Sequence, residues 1–293
     1  MATGDASVTI CAGTENMSAA PFQLDGNESR WGVNLGTNLK MRDSLWDGLT
    51  DSYAQVPMGI TAENLAEKYD ITREECDEYA VRSQQTWKAA KDAGIFDLEI
   101  APVEVKGRKG PMTIDTDEHP RPDVTTEKMA KLKPVFKKDG VVTAASASGI
   151  CDGAGSIILA TEDAVKQHGF TPLARLVSYD VAGCDPSIMG IGPVPAIQNA
   201  LKKAGISLGD VDRMEINEAF AAQFLACSKV LDLDMSKTNI HGGAISLGHP
   251  LTASGSRIVA HLANEFQQSD GNIHVGAACI GGGQGIAVVL ERV

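Results

Sequence analysis

Ala277-Ala278-Cys279-Ile280-Gly281-Gly282-Gly283-Gln284-Gly285 sets a cysteine on the lip of a glycine run between two apolar segments. Residues 273–278 and 286–290 carry the short apolar pattern of strands, so the glycines are read as their turn and Cys279 as the residue where one strand ends. Glycines at 281, 282 and 283 remove every side chain there, which lets backbone approach a ligand and lets main-chain N–H groups point at a negative oxygen. Alone, the stretch is equally a buried cysteine beside a glycine-rich hairpin. Its neighbours in the chain decide between the two.

Working outward, the C-terminal half alternates strands and helices. Residues 173–181 read as a strand, and Pro193 opens a helix that Gly205 closes. Residues 211–216 read as a strand, 219–231 as a helix and 254–267 as another before the closing hairpin. This order predicts a layered α/β domain, with ligands at the strand ends. Asn217-Glu218-Ala219-Phe220 follows its strand at once and puts an amide at a strand-to-helix corner. Gly242-Gly243-Ala-Ile-Ser-Leu-Gly248-His249-Pro250 fixes a histidine between a glycine and a proline. A lone histidine is most often structural and a lone asparagine before a helix most often a cap. Cys279, His249 and Asn217 together at strand ends of one α/β domain favour catalysis.

Further out the pattern is looser. Residues 6–12 read as a buried strand with Cys11 in the packing, and 21–51 as a long irregular loop. Thr72-x-x-Glu75 is a capping box that opens a helix with Cys76, Tyr79, Ala80, Ser83, Trp87 and Ala90 on one face and Gly94 as its stop. Residues 99–140 are rich in Pro, Lys and Asp, with basic points at Arg108, Lys109, Arg121, Lys137 and Lys138. They are read as a solvated face with some capacity for a phosphorylated small molecule. Between Thr143 and Gly155 the side chains are small enough to require close backbone approach to a ligand or another element.

At 293 residues the chain has length for two domains and a sizeable core. A net charge of −12 argues against nucleic acid as a partner. No apolar run reaches the length of a membrane span. The six cysteines (Cys11, Cys76, Cys151, Cys184, Cys227 and Cys279) show no CxxC pair and no His/Cys ligand spacing, so no metal site and no disulfide framework is expected. A reducing compartment fits.

Asn217-Glu-Ala-Phe, Gly248-His249-Pro and Cys279-Ile-Gly-Gly-Gly, in this order and spacing, resemble the thiolases, which cleave 3-ketoacyl-CoA or condense two acyl-CoAs. The similarity extends to Gly13-Thr-Glu-Asn-Met-Ser, Met58-Gly-Ile-Thr-Ala-Glu-Asn, Ser148-Gly149 and Cys184-Asp-Pro, and so to nearly the whole chain. Phrases such as Gln85-Thr-Trp-Lys-Ala-Ala and Pro134-Val-Phe-Lys-Lys-Asp-Gly resemble the mitochondrial branch of the family in animals. The resemblance implies an α/β/α sandwich: residues 1–19 and 151–170 from a first half that is incomplete, a CoA-binding loop domain at 20–150, and a second half at 171–293.

It also implies roles. His249 is the base for a nucleophilic thiol, and Cys279 is a second cysteine that moves a proton to or from the substrate α-carbon. Asn217 holds a water that meets the thioester oxygen together with His249, and the Gly281 N–H meets the tetrahedral oxyanion. Ser148 touches the pantetheine arm, Arg121 the nucleotide end of CoA, and Leu49 and Met58 line the acyl tunnel. CoA enters as substrate, no covalently bound cofactor is expected, and the family's habit is a homo-oligomer, dimer or tetramer. Fatty-acid β-oxidation in the mitochondrial matrix is the implied setting, with the cytoplasm as the alternative.

Two substitutions depart from the family pattern: Thr252 where glycine is usual, and Ser146 where asparagine is. The family's nucleophilic cysteine belongs to a segment of about a hundred residues, most of one domain's core, that is expected to precede this stretch. Three readings follow: a thiolase-family chain impaired in turnover, a thioester hydrolase with Cys279 as nucleophile and His249 as base, or a non-catalytic CoA-binding partner of a complete thiolase.

Overall fold

The structure is a computed structural model that describes residues 1, 3–107 and 110–293; Arg108 and Lys109 of the basic points lie outside the described residues. Ten strands occur among the described residues: β1 (Val8–Glu15), β2 (Phe22–Leu24), β3 (Met41–Asp43), β4 (Val103–Gly107), β5 (Gly110–Ile114), β6 (Gly153–Ala160), β7 (Arg175–Gly183), β8 (Arg213–Ile216), β9 (Ile273–Ile280) and β10 (Gln284–Glu291). The helices are α1 (Gly26–Arg30), α2 (Ser44–Gly48), α3 (Met58–Lys68), α4 (Arg73–Asp92), α5 (Thr126–Met129), α6 (Glu162–His168), α7 (Pro193–Ala204), α8 (Ala221–Leu231), α9 (Ala244–Leu247) and α10 (Ser254–Glu265).

The organising sheet has the order β7-β10-β9-β8, antiparallel except for the parallel pair β8 and β9. The glycine turn joins β9 to β10 with Ile280 opposite Gln284. Alternation along β9 sends Val275 and Ala277 into the main core with Ile197, Ile216, Ala222 and Phe224, while Gly276 faces the other way. A Cβ on Gly276 would sit 2.9 Å from Ile258 and 3.0 Å from Leu262 of α10. Helices thus cover both faces of the sheet: α7 packs on β7 and β10, and α10 packs on β9 and on the antiparallel ribbon β1–β6. Cys279 shares the Ala277 face and is the last residue but one of β9, at the strand end the sequence pattern predicts.

Local signals explain the elements. Thr72 and Glu75 form the capping box of α4, and Gly94 follows it in the left-handed region at φ 73°. Pro193 opens α7 and Gly205, at φ 71°, closes it. The stretch read as an irregular loop at 21–51 instead holds the β2–β3 hairpin and two short helices. Asp25 accepts from Asn27 N at 2.7 Å and Asp43 from Leu45 N at 2.9 Å, so each caps a five-residue helix, and elements this short leave no periodicity to read.

Candidate active site

β8 delivers Asn217 one step beyond its last residue, where the Asn217 N–H donates to Ala277 O at 2.8 Å and seats it beside β9. Asn217 is buried, and its Nδ2 donates to His249 Nε2 at 3.2 Å. Its Oδ1 is buried without a protein partner among the described residues. Such an acceptor is costly unless a donor reaches it.

His249 is held from three sides. Its N–H donates to Gly149 O at 2.9 Å, and its Nδ1 stands 2.6 Å from Ser254 Oγ at the start of α10. Ser254 Oγ donates onward to Pro250 O at 3.3 Å. That chain assigns the proton to Nδ1 and leaves the Nε2 lone pair toward Asn217. Burial, reinforced by the Arg257 guanidinium, pushes the imidazole down to about 4, so it is neutral at pH 7 and free to accept a proton. Gly248 before it has φ 91°, and a Cβ there would lie 2.5 Å from Cys151 Sγ.

The residue after Asn217 carries the corner. Glu218 is fully buried and accepts from Tyr79 Oη at 2.7 Å, Ser83 Oγ at 2.7 Å, Asn239 Nδ2 at 3.0 Å and the Ile245 N–H at 3.1 Å. It therefore joins α4, the 239 loop and α9 to the Asn217 turn. Gly243 is glycine because a Cβ there would stand 2.3 Å from the Glu218 carboxyl carbon.

Cys279 sits two residues beyond Ala277 on the same face of β9, which brings it to the Asn217 corner. Burial pushes its thiol up to about 12, overriding the favourable pull of its own backbone N–H, with Cys184 adding to the rise. Gly282 and Gly283 have φ of 83° and 81°, and a Cβ on Gly283 would meet Cys184 O at 2.3 Å. The Gly282 N–H donates to Asp51 Oδ2 at 3.0 Å. Asp51 also accepts from Ala54 N and Tyr53 N at 2.7 and 2.8 Å; these N–H groups, that of Ala54 foremost, hold its carboxyl below the usual range. The loop after α2 thus clamps the glycine turn. Met58 Sδ lies 3.6 Å from where a Gly281 Cβ would be, and the Met58 N–H donates to Leu49 O at 2.9 Å.

The structure accordingly gathers Asn217 with His249, and Leu49, Met58 and Gly281 at the β9–β10 turn. Ser148 joins the corner through its N–H and its Oγ, both 3.0 Å from Ala219 O. Arg121 stands apart: it is exposed, and its Nη1 donates to the carbonyls of Glu118, His119 and Pro120 of its own loop. Thr252 ties the loop that carries His249 to β1, its Oγ1 donating to Thr14 O and its N–H to Glu15 Oε2 at 3.3 Å. Ser146 is buried and its Oγ accepts from Thr143 N at 2.9 Å. Sequence reasoning missed Ser254, Glu218 and Asp51. The signals available were a hydroxyl five residues after His249 and an acid directly after Asn217; Asp51 has none, because its partner is 231 residues away.

A cavity of about 270 Å³ lies next to this corner, between β1, β6, α10 and the sheet, lined by Gly13, Ile157, Thr252, Ile258 and Ala277 among others.

Comparison with known proteins agrees with this architecture. The family described as "Thiolase, N-terminal domain" matches residues 1–163, and "Thiolase, C-terminal domain" matches residues 170–292. The mitochondrial 3-ketoacyl-CoA thiolase of Bos taurus is 62% identical over 98% of this chain and 72% of its own length. An acetyl-CoA acetyltransferase of Pseudomonas aeruginosa is 50% identical over 99% of this chain and 73% of its own. The crystal structure of human mitochondrial 3-ketoacyl-CoA thiolase superposes with a TM-score of 0.96 at 61% identity, covering 99% of this chain and 73% of that one. The same human enzyme in complex with CoA gives 0.95 at 60% identity, covering 99% and 72%.

Proposed function

This chain belongs to the thiolase family, and on that footing we propose that it binds CoA thioesters and handles protons at their α-carbon, with little turnover through an acyl-enzyme. It is an acyltransferase by family, closely related to mitochondrial 3-ketoacyl-CoA thiolase. The observation that carries the reading is the relay Asn217 Nδ2, His249 Nε2, His249 Nδ1, Ser254 Oγ, with a neutral imidazole at its centre.

The reaction assigned is 3-ketoacyl-CoA plus CoA to acyl-CoA plus acetyl-CoA, or the reverse condensation. His249 Nε2 accepts the proton of an attacking thiol and, as imidazolium, donates to the thioester oxygen as negative charge gathers there. Asn217 Oδ1 takes a hydrogen from a water whose second hydrogen reaches the same oxygen, which answers its buried, unpartnered state. As the CoA sulfur bonds to C3 and the C2–C3 bond breaks, Cys279, a thiol rather than a thiolate at neutral pH, gives its S–H proton to the α-carbon of the departing acetyl-CoA enolate, and the imidazolium proton of His249 returns to the Cys279 sulfur. The Gly281 N–H serves the tetrahedral oxyanion. Met58 and Leu49 border the acyl chain, Ser148 the pantetheine arm and Arg121 the nucleotide end of CoA. The CoA complex of the human relative supports this substrate class. The mitochondrial relatives support a matrix location, and a homo-oligomer is the proposed assembly.

Low turnover is supported by five of the six thiols. Burial raises Cys76 to about 12, Cys151 to about 11 and Cys279 to about 12, and raises Cys184 and Cys227 as well, so none of these five is poised as the attacking thiolate. The same fact disfavours a Cys279 hydrolase. The test is calorimetric titration with CoA beside an acetoacetyl-CoA cleavage assay. CoA binding with cleavage at least about a thousandfold below the roughly 10 s⁻¹ of an average enzyme is expected. Cleavage at an ordinary rate, or no CoA binding, refutes it.

A further inference from the structure

His241, His261 and Glu265 bring three ligand atoms within 4.8 Å of one another, apart from the Asn217–His249 pair. His261 and Glu265 stand four residues apart on α10 and project from one face of it. His241 comes from the loop that leads into the catalytic glycine segment. Ligand spacing in the sequence hides the set, since only folding brings residue 241 to residue 261.

The spacing admits a metal ion. His241 Nδ1 and His261 Nε2 are 3.1 Å apart, with the rings at 87° to one another. An ion about 2.1 Å from each nitrogen would see them at an angle of roughly 95°, within reach of a distorted tetrahedron. The far nitrogen of His261 provides an independent sign. Its Nδ1 faces both oxygens of Glu99, at 3.0 and 3.1 Å, and a carboxylate behind a histidine in this way fixes the tautomer and directs Nε2 at a metal. Around the pair, Glu265 meets Arg213, Glu215 meets Arg257 and Glu99 meets His261. Arg213 Nε engages one oxygen of Glu265. His261 and Glu265 are each only 3% exposed, whereas His241 is half-buried and gives an ion a way in.

We propose that His241 Nδ1, His261 Nε2 and a Glu265 carboxylate oxygen bind a divalent transition-metal cation of the zinc class, with water as the fourth ligand. The site would pin both ends of the segment that carries the base. His241 precedes the 242–249 loop, and α10 runs from Ser254, which orients His249, to Glu265. The competing occupant is a single proton shared between the two rings, with His261 held as imidazolium against Glu99.

The test uses the full chain stripped with chelator and titrated with Zn²⁺ by calorimetry and with Co²⁺ by visible absorption, beside His241→Ala, His241→Asn and Glu99→Gln. All variants keep the six cysteines, so uptake that disappears with His241 is uptake at this site. One equivalent of Zn²⁺ is expected in the unaltered chain, with a tetrahedral Co²⁺ spectrum and a Tm raised by zinc. The spectrum and the Tm rise should vanish in both His241 variants, and binding should weaken about 10- to 100-fold in Glu99→Gln. Two His241 variants guard against a fold defect in one, and circular dichroism without metal reports it. Equal zinc uptake with and without His241, no uptake at all, or imidazole nitrogen shifts that keep one shared proton in the presence of zinc would each overturn the proposal.

Discussion

At His249 the local environment determines chemistry more than residue type does. An exposed imidazole titrates near 6.5, but burial and Arg257 hold this one down to about 4, and Ser254 Oγ holds its Nδ1 at 2.6 Å. By nitrogen NMR, His249 should therefore stay neutral, with its proton on Nδ1, from pH 7 down to about 4. Ser254→Ala should leave the chain folded yet mix the two tautomers and weaken the ring's orientation by about 1 kcal/mol, the worth of one hydrogen bond. A free-histidine titration near 6.5 in the unaltered chain would contradict the assignment. Cys279 gives the mirror case: with its thiol near 12, iodoacetamide should label it slowly at pH 7–8 and faster as pH rises. Rapid labelling at pH 7 would restore it as a nucleophile. These residues could be picked from sequence because glycine and proline neighbours mark rigid backbone. Their protonation states could not, because those depend on Arg257, Ser254 and Cys184, brought near only by the fold.

Between elements, one buried carboxylate does the joining. Glu218 accepts four hydrogen bonds from α4, the 239 loop and α9, so the Asn217 corner moves only if those elements move. Glu218→Gln replaces one accepting oxygen with an NH₂ group that faces existing donors, and urea unfolding should show a loss of about 1–3 kcal/mol of stability per donor left unpaired. Thr72→Ala removes only a cap from α4 and should cost about 1 kcal/mol. A larger loss at the exposed cap than at the buried hub would show that the corner does not depend on Glu218. The cap and the ends of α7 were readable in the sequence, because capping boxes and Pro/Gly boundaries are contacts within a few residues. Glu218 and Asp51 were not, since their partners Tyr79 and Gly282 lie 139 and 231 residues away.

For the molecule as a whole, the layered α/β architecture followed from alternating strands and helices, whereas the short pieces at 21–51 escaped because five-residue helices carry no period. What the sequence leaves open is how the buried charges add up, and that sum sets the acid limit of stability. His241, His249 and His274 are each pushed down to about 4 by burial. In the unfolded chain each takes a proton near 6.5, so from pH 6.5 to 4 the unfolded state binds more protons and stability falls as pH falls. Glu215 opposes them. Burial raises its carboxyl to about 7 from 4.5, so the folded state keeps a proton that the unfolded state has released, and stability rises as pH falls through that window. His261, raised by Glu99, and Asp117, raised by burial, oppose them too, but His261 acts chiefly above pH 6.5 and Asp117 chiefly toward the acid end, so between about 6.5 and 4.5 the three lowered imidazoles leave a net loss for the metal-free chain, and carboxylates held low by N–H donors, such as Asp152, deepen it below about pH 4. Tm should thus be highest near neutrality and fall by several degrees per pH unit between 6.5 and 4.5, at roughly 2–4 °C per kcal/mol for a chain of this size. His274 isolates one share of the effect, being fully buried, stacked on Phe266 with ring centroids 3.7 Å apart, and without a partner at Nε2 among the described residues. His274→Leu should flatten the slope by about one proton; an unchanged slope would mean that the acid limit arises elsewhere.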